Sequence, residues 1–177
     1  MLETIWTEGS YEARQISGKS LERFGPKNPR ICLDFVFSVL PDIDNWSICD
    51  SLAMYAVEPL VYSSPELVIP LSEEWIQSTN KWIRRFGVVT LRGYKRIKTN
   101  DQIFELLDMI MEDEERDVKK AASWILREIT KGNPDEVSEF LVKWSKVNPS
   151  KDARWIIENG MKKLSNDEQS KILGLLG

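Results

Sequence analysis

Lys81–Tyr94, KWIRRFGVVTLRGY, decides how the chain is read. Its Arg84 is followed thirty-five residues later by Lys119 and then by Arg154, and stepping back by the same interval gives Cys49 and Arg14. The column one residue earlier is apolar throughout: Ala13, Ile48, Ile83, Val118 and Ala153. The column seven residues later is apolar as well: Leu21, Ala56, Leu91, Leu126 and Met161. A fixed period of this length marks a solenoid, in which each unit buries its apolar face only against its neighbours.

Within each repeat the apolar spacing is helical, so the expectation is an all-α solenoid of helix pairs, whose curvature should make one face concave. Helix starts are punctuated by Asn28-Pro29 and Asn133-Pro134, an N-cap followed by proline at the first helical position. Ser63 with Glu66 and Ser165 with Glu168 fit the capping box. First-in-pair helices are predicted near 29–40, 65–77, 101–112, 134–147 and 166–175, and second-in-pair helices near 10–24, 45–57, 80–95, 116–131 and 151–163. Leu2 to Trp6 reads as the end of a further first-type helix. Pro70 should kink or split the helix that holds it. Val88-Val89-Thr90 is β-prone, but its flanks keep helical spacing. With no long linker or low-complexity segment, residues 1–177 read as a single domain.

Composition narrows the function classes. The chain has 177 residues, 42% of them hydrophobic and 29% charged, as in ordinary globular proteins. No apolar run approaches the roughly 20 residues that span a bilayer, and MLETIWTEGS lacks the regions of a signal peptide. Cys32 and Cys49 form no CxxC and read as reduced thiols of a cytoplasmic protein. There is no histidine, so a general base must be a carboxylate, and neither a cofactor nor a metal site is expected. The net charge of −4 hides segregation: seven basic residues and no acidic one lie between Lys81 and Lys98, whereas Asp101 to Asp117 holds eight acidic residues against Arg116 alone.

The column after the basic one reads Gln15, Asp50, Arg85, Lys120 and Trp155. Equivalent positions on neighbouring parallel helices should form a row on one surface. Trp46, four residues before Asp50, and Trp124, four after Lys120, share a helix face with members of this row. Trp46, Asp50, Arg85, Lys120 and Trp124 are therefore expected on one patch. Each also has a plainer reading: tryptophan as packing, Asp50–Arg85 as a structural ion pair, Lys119 and Lys120 as a solvated face. Trp6, Trp75 and Trp144, on or beside first-type helices, are assigned to packing.

NWSICDSLA at 45–53, NKWIRRFGVVTL at 80–91 and VKKAASWILREI at 118–129 together resemble the AlkD-like DNA alkylation repair glycosylases, a HEAT-like repeat family, and the similarity runs over nearly the whole chain. The resemblance implies a monomeric enzyme acting on double-stranded DNA that carries alkylated bases. It would hydrolyse the N-glycosidic bond of cationic N3- or N7-alkylated purines. Carried over one at a time, the family's cleft pattern falls on Trp46 and Asp50, then Arg85, then Trp124. In that scheme Asp50 stabilises the oxocarbenium-like sugar and positions water, the two tryptophans flank the deoxyribose, and Arg85 grips a phosphate and supports the charge on Asp50. The family is thought to hold the lesion through its backbone, without flipping the base. Arg14, Arg84, Lys119 and Arg154, with Lys120 and Arg127 nearby, are predicted to contact DNA phosphates. Two departures stand out. Family members usually carry further helices before the first repeat seen here, and Gly87-Val88 replaces an alanine-rich stretch. The alternative is a non-catalytic HEAT-like module that binds branched or damaged DNA or a protein partner.

Overall fold

The computed structural model describes residues 2–96 and 100–177. Of the basic run noted above, Lys98 and the side chains of Lys95 and Arg96 lie outside the described residues. The chain divides into two compact units, 1–100 and 101–177, and the division falls where the basic stretch gives way to the acidic one. All regular structure among the described residues is helical.

In the first unit α1 (Leu2–Glu8) packs on α2 (Tyr11–Phe24) and α3 (Pro29–Val39). The helix that begins with α4 (Trp46–Leu52) passes through a π-helical stretch, Ala53–Val57, into α5 (Glu58–Ser63). It is followed by α6 (Pro65–Ile76) and α7 (Lys81–Thr90), with a 3₁₀ segment from Leu91 to Arg96. The second-type helices α2, α4 and α7 lie side by side, and α6 covers α7. In the second unit α8 (Asn100–Asp108) leads to α9 (Arg116–Thr130), α10 (Pro134–Ser145), α11 (Lys151–Gly160) and α12 (Asn166–Leu176). There α9 and α11 lie side by side, and α10 packs against both and against α12. The Phe104 and Phe140 rings, 5.0 Å apart, join α8 to α10.

Each helix follows from its pattern. In α9, Val118, Ala121, Ala122, Ile125, Leu126 and Ile129 are buried, a stripe at helical spacing. Val88, Val89 and Thr90 are helical despite their β-branches, because all three are buried and Thr90 Oγ1 satisfies itself on the Phe86 carbonyl at 2.9 Å. The repeat extends to the helix starts. Ser10, Asn45, Asn80, Glu115 and Ser150 precede the five second-type helices at steps of thirty-five, and all but Glu115 accept a capping hydrogen bond from the first turn. Asn28, Ser64 and Asn133 precede three first-type helices, each with proline next and no side-chain cap bond.

Three expectations are corrected. The cap of α6 is Ser64 and not Ser63, so the capping box holds only at Ser165–Glu168. Of the kink or split expected at Pro70, the split does not occur: α6 runs unbroken through the exposed proline. The helix predicted to stop at 57 continues to Ser63 across Pro59. Proline has no N–H and would collide with the carbonyl four residues back, and the wider π turn just before it opens the space the ring needs.

Gly87 has a packing reason. A Cβ there would sit 3.0 Å from Trp75 Cβ and Ile76 Cγ1 and 3.1 Å from the Ile76 backbone nitrogen, so glycine lets α7 lie close on α6. Side-chain bonds between neighbouring repeats recur at one period. Gln15 Nε2 donates to Ser47 Oγ and Ser51 Oγ to the Gln15 carbonyl in the first unit, and Lys143 Nζ and Trp144 Nε1 both donate to Asp108 in the second. Trp6 and Trp75 are core residues, whereas Trp144 is half-buried and held by Asp108 at 2.6 Å.

Candidate active site and nucleic-acid contacts

Asn45 caps α4 by accepting a hydrogen bond from the Ile48 N–H at 3.1 Å. That sets Trp46 at the first helical position and Asp50 one turn later. Ile48 and Leu52 supply the buried face of this helix, and Trp46 stands 58% exposed. Asp50 meets the adjacent α7: Arg85 Nε donates to Oδ1 at 2.8 Å and Nη2 donates to Oδ2 at 2.7 Å. This is the fork-to-fork geometry in which a planar guanidinium fixes a carboxylate in position and in plane. Of the two side chains, 17% of Asp50 and 7% of Arg85 remain exposed. Beside them Cys49 Sγ is hydrogen-bonded to the Trp82 carbonyl at 3.4 Å, a further tie between α4 and α7.

A second acid–arginine pair lies further along, between α5 and the 3₁₀ segment after α7, with both guanidinium nitrogens on one carboxylate oxygen. Arg92 donates to Glu58 Oε2 from Nε at 2.7 Å and from Nη2 at 2.6 Å. Glu58 is buried, so this pair is a structural tie. Trp124 is half-buried on α9, in the second unit.

Of the six cations predicted at phosphates, Lys120 is the exposed one. The other five have partners within the protein. Arg14 Nε donates to the Trp6 carbonyl at 3.1 Å, and its guanidinium lies over the Trp6 ring. Arg84 Nη1 donates to the carbonyls of Ser78 and Thr79 at 2.9 and 3.1 Å. Arg127 Nη1 donates to the Asn159 carbonyl at 2.8 Å, and its burial pulls its pKa down, an effect that neighbouring Glu128 opposes. Arg154 donates to the Leu176 carbonyl, and Lys119 is ion-paired with Asp152. The arginine contacts fall at or just past the ends of α1, α6, α11 and α12, where carbonyls lack helical partners and carry partial negative charge.

One column escaped the reading of the sequence. Tyr11, Trp46, Lys81, Arg116 and Lys151 are the first residues of the five second-type helices, again at steps of thirty-five. Its signal was the same period, three residues ahead of the basic column. Among the described residues no group of three or more acidic or cysteine side chains is arranged to hold a metal ion, and no helix is long and apolar enough to cross a membrane.

The family model described as DNA alkylation repair enzyme matches residues 1–164. The chain belongs to this family. Two solved structures resemble this member of the DNA alkylation repair enzyme family. AlkD2 from Streptococcus mutans superposes with a TM-score of 0.75 at 22% identity, covering 93% of this chain and 79% of that one. The protein smu.31 from Streptococcus mutans UA159 superposes with a TM-score of 0.74 at 22% identity, covering 93% of this chain and 82% of that one. At this identity these likenesses show the fold alone. No match was found among curated proteins.

Proposed function

We propose that the protein excises cationic N3- or N7-alkylated purines from double-stranded DNA by hydrolysing the N-glycosidic bond. The observation that carries this reading is the Asp50–Arg85 fork with an exposed Trp46 one turn from the carboxylate. An alkylated purine is already positive, so its bond to C1′ needs no acid to break. The bond's electron pair moves to the base, which leaves neutral, and positive charge develops on the sugar. A fixed carboxylate opposite that charge stabilises the transition state more than the ground state. Asp50 also orients water for attack on C1′ and accepts its proton. Trp46 lends its ring face to the cationic sugar. Arg85, with both Nε and Nη2 engaged by Asp50, acts chiefly as a positioning residue. Trp124 is carried as a further member of the site on the family pattern.

A second reading, DNA binding without chemistry, draws support from the buried Glu58–Arg92 pair, an acid–arginine contact to which no chemistry is assigned. Release of 7-methylguanine from methylated duplex DNA separates the two. The expected result is release by the wild type and by Glu58→Gln, and a loss on the order of a hundredfold or more in Asp50→Asn. Equal release by Asp50→Asn removes Asp50 from the chemistry. No release by the wild type, with duplex binding retained, selects the second reading.

A further inference from the structure

In the second unit, the first-type helices α8 and α10 enclose a groove that the proposed chemistry leaves unused. Glu136, Glu139, Phe140 and Lys143 stand on α10 at helical spacing and so share one face of it. Asp101 and Phe104, three residues apart on α8, form the facing wall. The space between them is about 310 Å³. Its apolar lining is the Phe104–Phe140 pair, whose ring centres are 5.0 Å apart and whose planes lie 30° from parallel. The lysine of the lining is already engaged: Lys143 Nζ donates to Asp108, which also accepts from Trp144 Nε1, and these bonds pin α10 to α8. Asp101, Glu136 and Glu139 are exposed, and none forms an ion pair among the described residues. Glu105, one turn beyond Asp101, is exposed as well and adds to the same sign of charge. The helix dipole accounts for Asp101 and Glu136, which stand in first turns, but not for Glu139 in the middle of α10.

We infer that the α8–α10 groove docks a basic peptide segment of a partner protein, one of whose arginine side chains lies along the two phenylalanines with its guanidinium among Asp101, Glu136 and Glu139. A guanidinium is flat and weakly hydrated, and it suits aromatic surfaces and carboxylates at once. The methylene stem of the same side chain covers what remains exposed of half-buried Phe104. Charge complementarity selects this occupant. Three carboxylates without ion-pair partners repel an anion, and a purely apolar segment would desolvate them without compensation. The acidic stretch that begins at Asp101 thereby acquires a role that action on DNA does not supply. Occupancy of the groove is independent of the chemistry at Asp50.

The test is fluorescence anisotropy of a short labelled peptide of repeating Arg-Leu-Lys, titrated with the full chain at low and at raised salt. The wild type should bind the peptide and lose affinity as salt rises. Glu136→Gln/Glu139→Gln should weaken binding roughly fivefold to tenfold. The control Glu114→Gln/Asp167→Asn removes two exposed carboxylates elsewhere in the same unit and should weaken it by clearly less. Phe104→Leu should bind several-fold more weakly, while Phe104→Tyr, which keeps the ring, should bind nearly as the wild type does. No binding by the wild type, equal effects from the two double variants, or full affinity in Phe104→Leu overturns the inference. So does self-association in sedimentation velocity that disappears in Glu136→Gln/Glu139→Gln, because the occupant would then be a second copy of the chain.

Discussion

Arg85 and Asp50 stand thirty-five residues apart and meet edge to edge, with two parallel hydrogen bonds of 2.8 and 2.7 Å between adjacent second-type helices. The pair sets the position of one repeat on the next and holds a carboxylate in a fixed plane. Removing either partner therefore has consequences for stability as well as for chemistry.

Arg85→Ala takes the guanidinium fork away from a largely enclosed carboxylate and should cost about 3 kcal/mol, less whatever the exposed part of Asp50 recovers from water. Arg85→Lys keeps the charge but not the fork, and should lower stability by less while still reducing base release. Asp50→Asn keeps an acceptor for the guanidinium and should fold with the smallest change of the three. Urea titrations of the three variants check the order; a fully neutral Arg85→Ala would show that the pair holds nothing together.

Trp46 and Trp75 should answer truncation in opposite ways. Trp75 is 3% exposed and meets the Phe86 ring edge-on at 5.0 Å, so Trp75→Ala should cost roughly 3–5 kcal/mol. Trp46→Ala removes a mostly exposed ring and should shift stability by less than about 1 kcal/mol while lowering base release. Thermal melts run beside the release assay distinguish the two; a collapse of the Trp46→Ala melt would move that ring into the core.

Two glycines test packing against helix propensity. Gly174→Ala meets nothing within 4 Å inside α12 and should stabilise by about 0.5–1 kcal/mol. Gly87→Ala gains a similar propensity term, but its Cβ would press on the Trp75 Cβ and the Ile76 backbone, which cannot rotate away. Overpacking of about 1–3 kcal/mol should win, so Gly87→Ala is expected to be the destabilised variant in chemical denaturation.

Stability should fall in alkali. Burial pushes the Cys32 thiol from its ordinary 9.0 up to about 12. Burial also pushes the Tyr94 hydroxyl up, which its hydrogen bond with Ser72 partly offsets. Each group holds its proton more tightly folded than unfolded. Between the unfolded and folded pKa values the unfolded chain binds fewer protons, so the free energy of unfolding declines as pH rises. Urea midpoints compared at pH about 8 and about 10 should drop, and Cys32→Ala should lessen the drop.

Much of this architecture was legible because one period governs it. Ala13, Ile48, Ile83, Val118 and Ala153 place the helices in register, and register alone makes Asp50 and Arg85 neighbours. What the pattern could not tell was where a long side chain turns. Arg14, Arg84 and Arg154 share a column that reads as a basic row, yet each swings onto a carbonyl at a neighbouring helix end. Spacing specifies a Cα position, whereas the choice between solvent and an unpaired carbonyl depends on how the adjacent helix terminates. Pro59 was hidden for a related reason: a π turn is a backbone accommodation that leaves no mark in the apolar spacing.

The bonds between neighbouring repeats, which reach from 32 to 38 residues along the chain, also bear on how the protein forms. Contacts of such uniform and modest separation mean a low contact order, so folding should spread from one nucleated helix pair to the next rather than await a distant closure. The same uniformity sets which lengths of insertion or deletion the chain tolerates. Loss of a single residue within α7 would rotate Arg85 away from Asp50 by about 100°, whereas removal of one whole period would bring an equivalent column into its place.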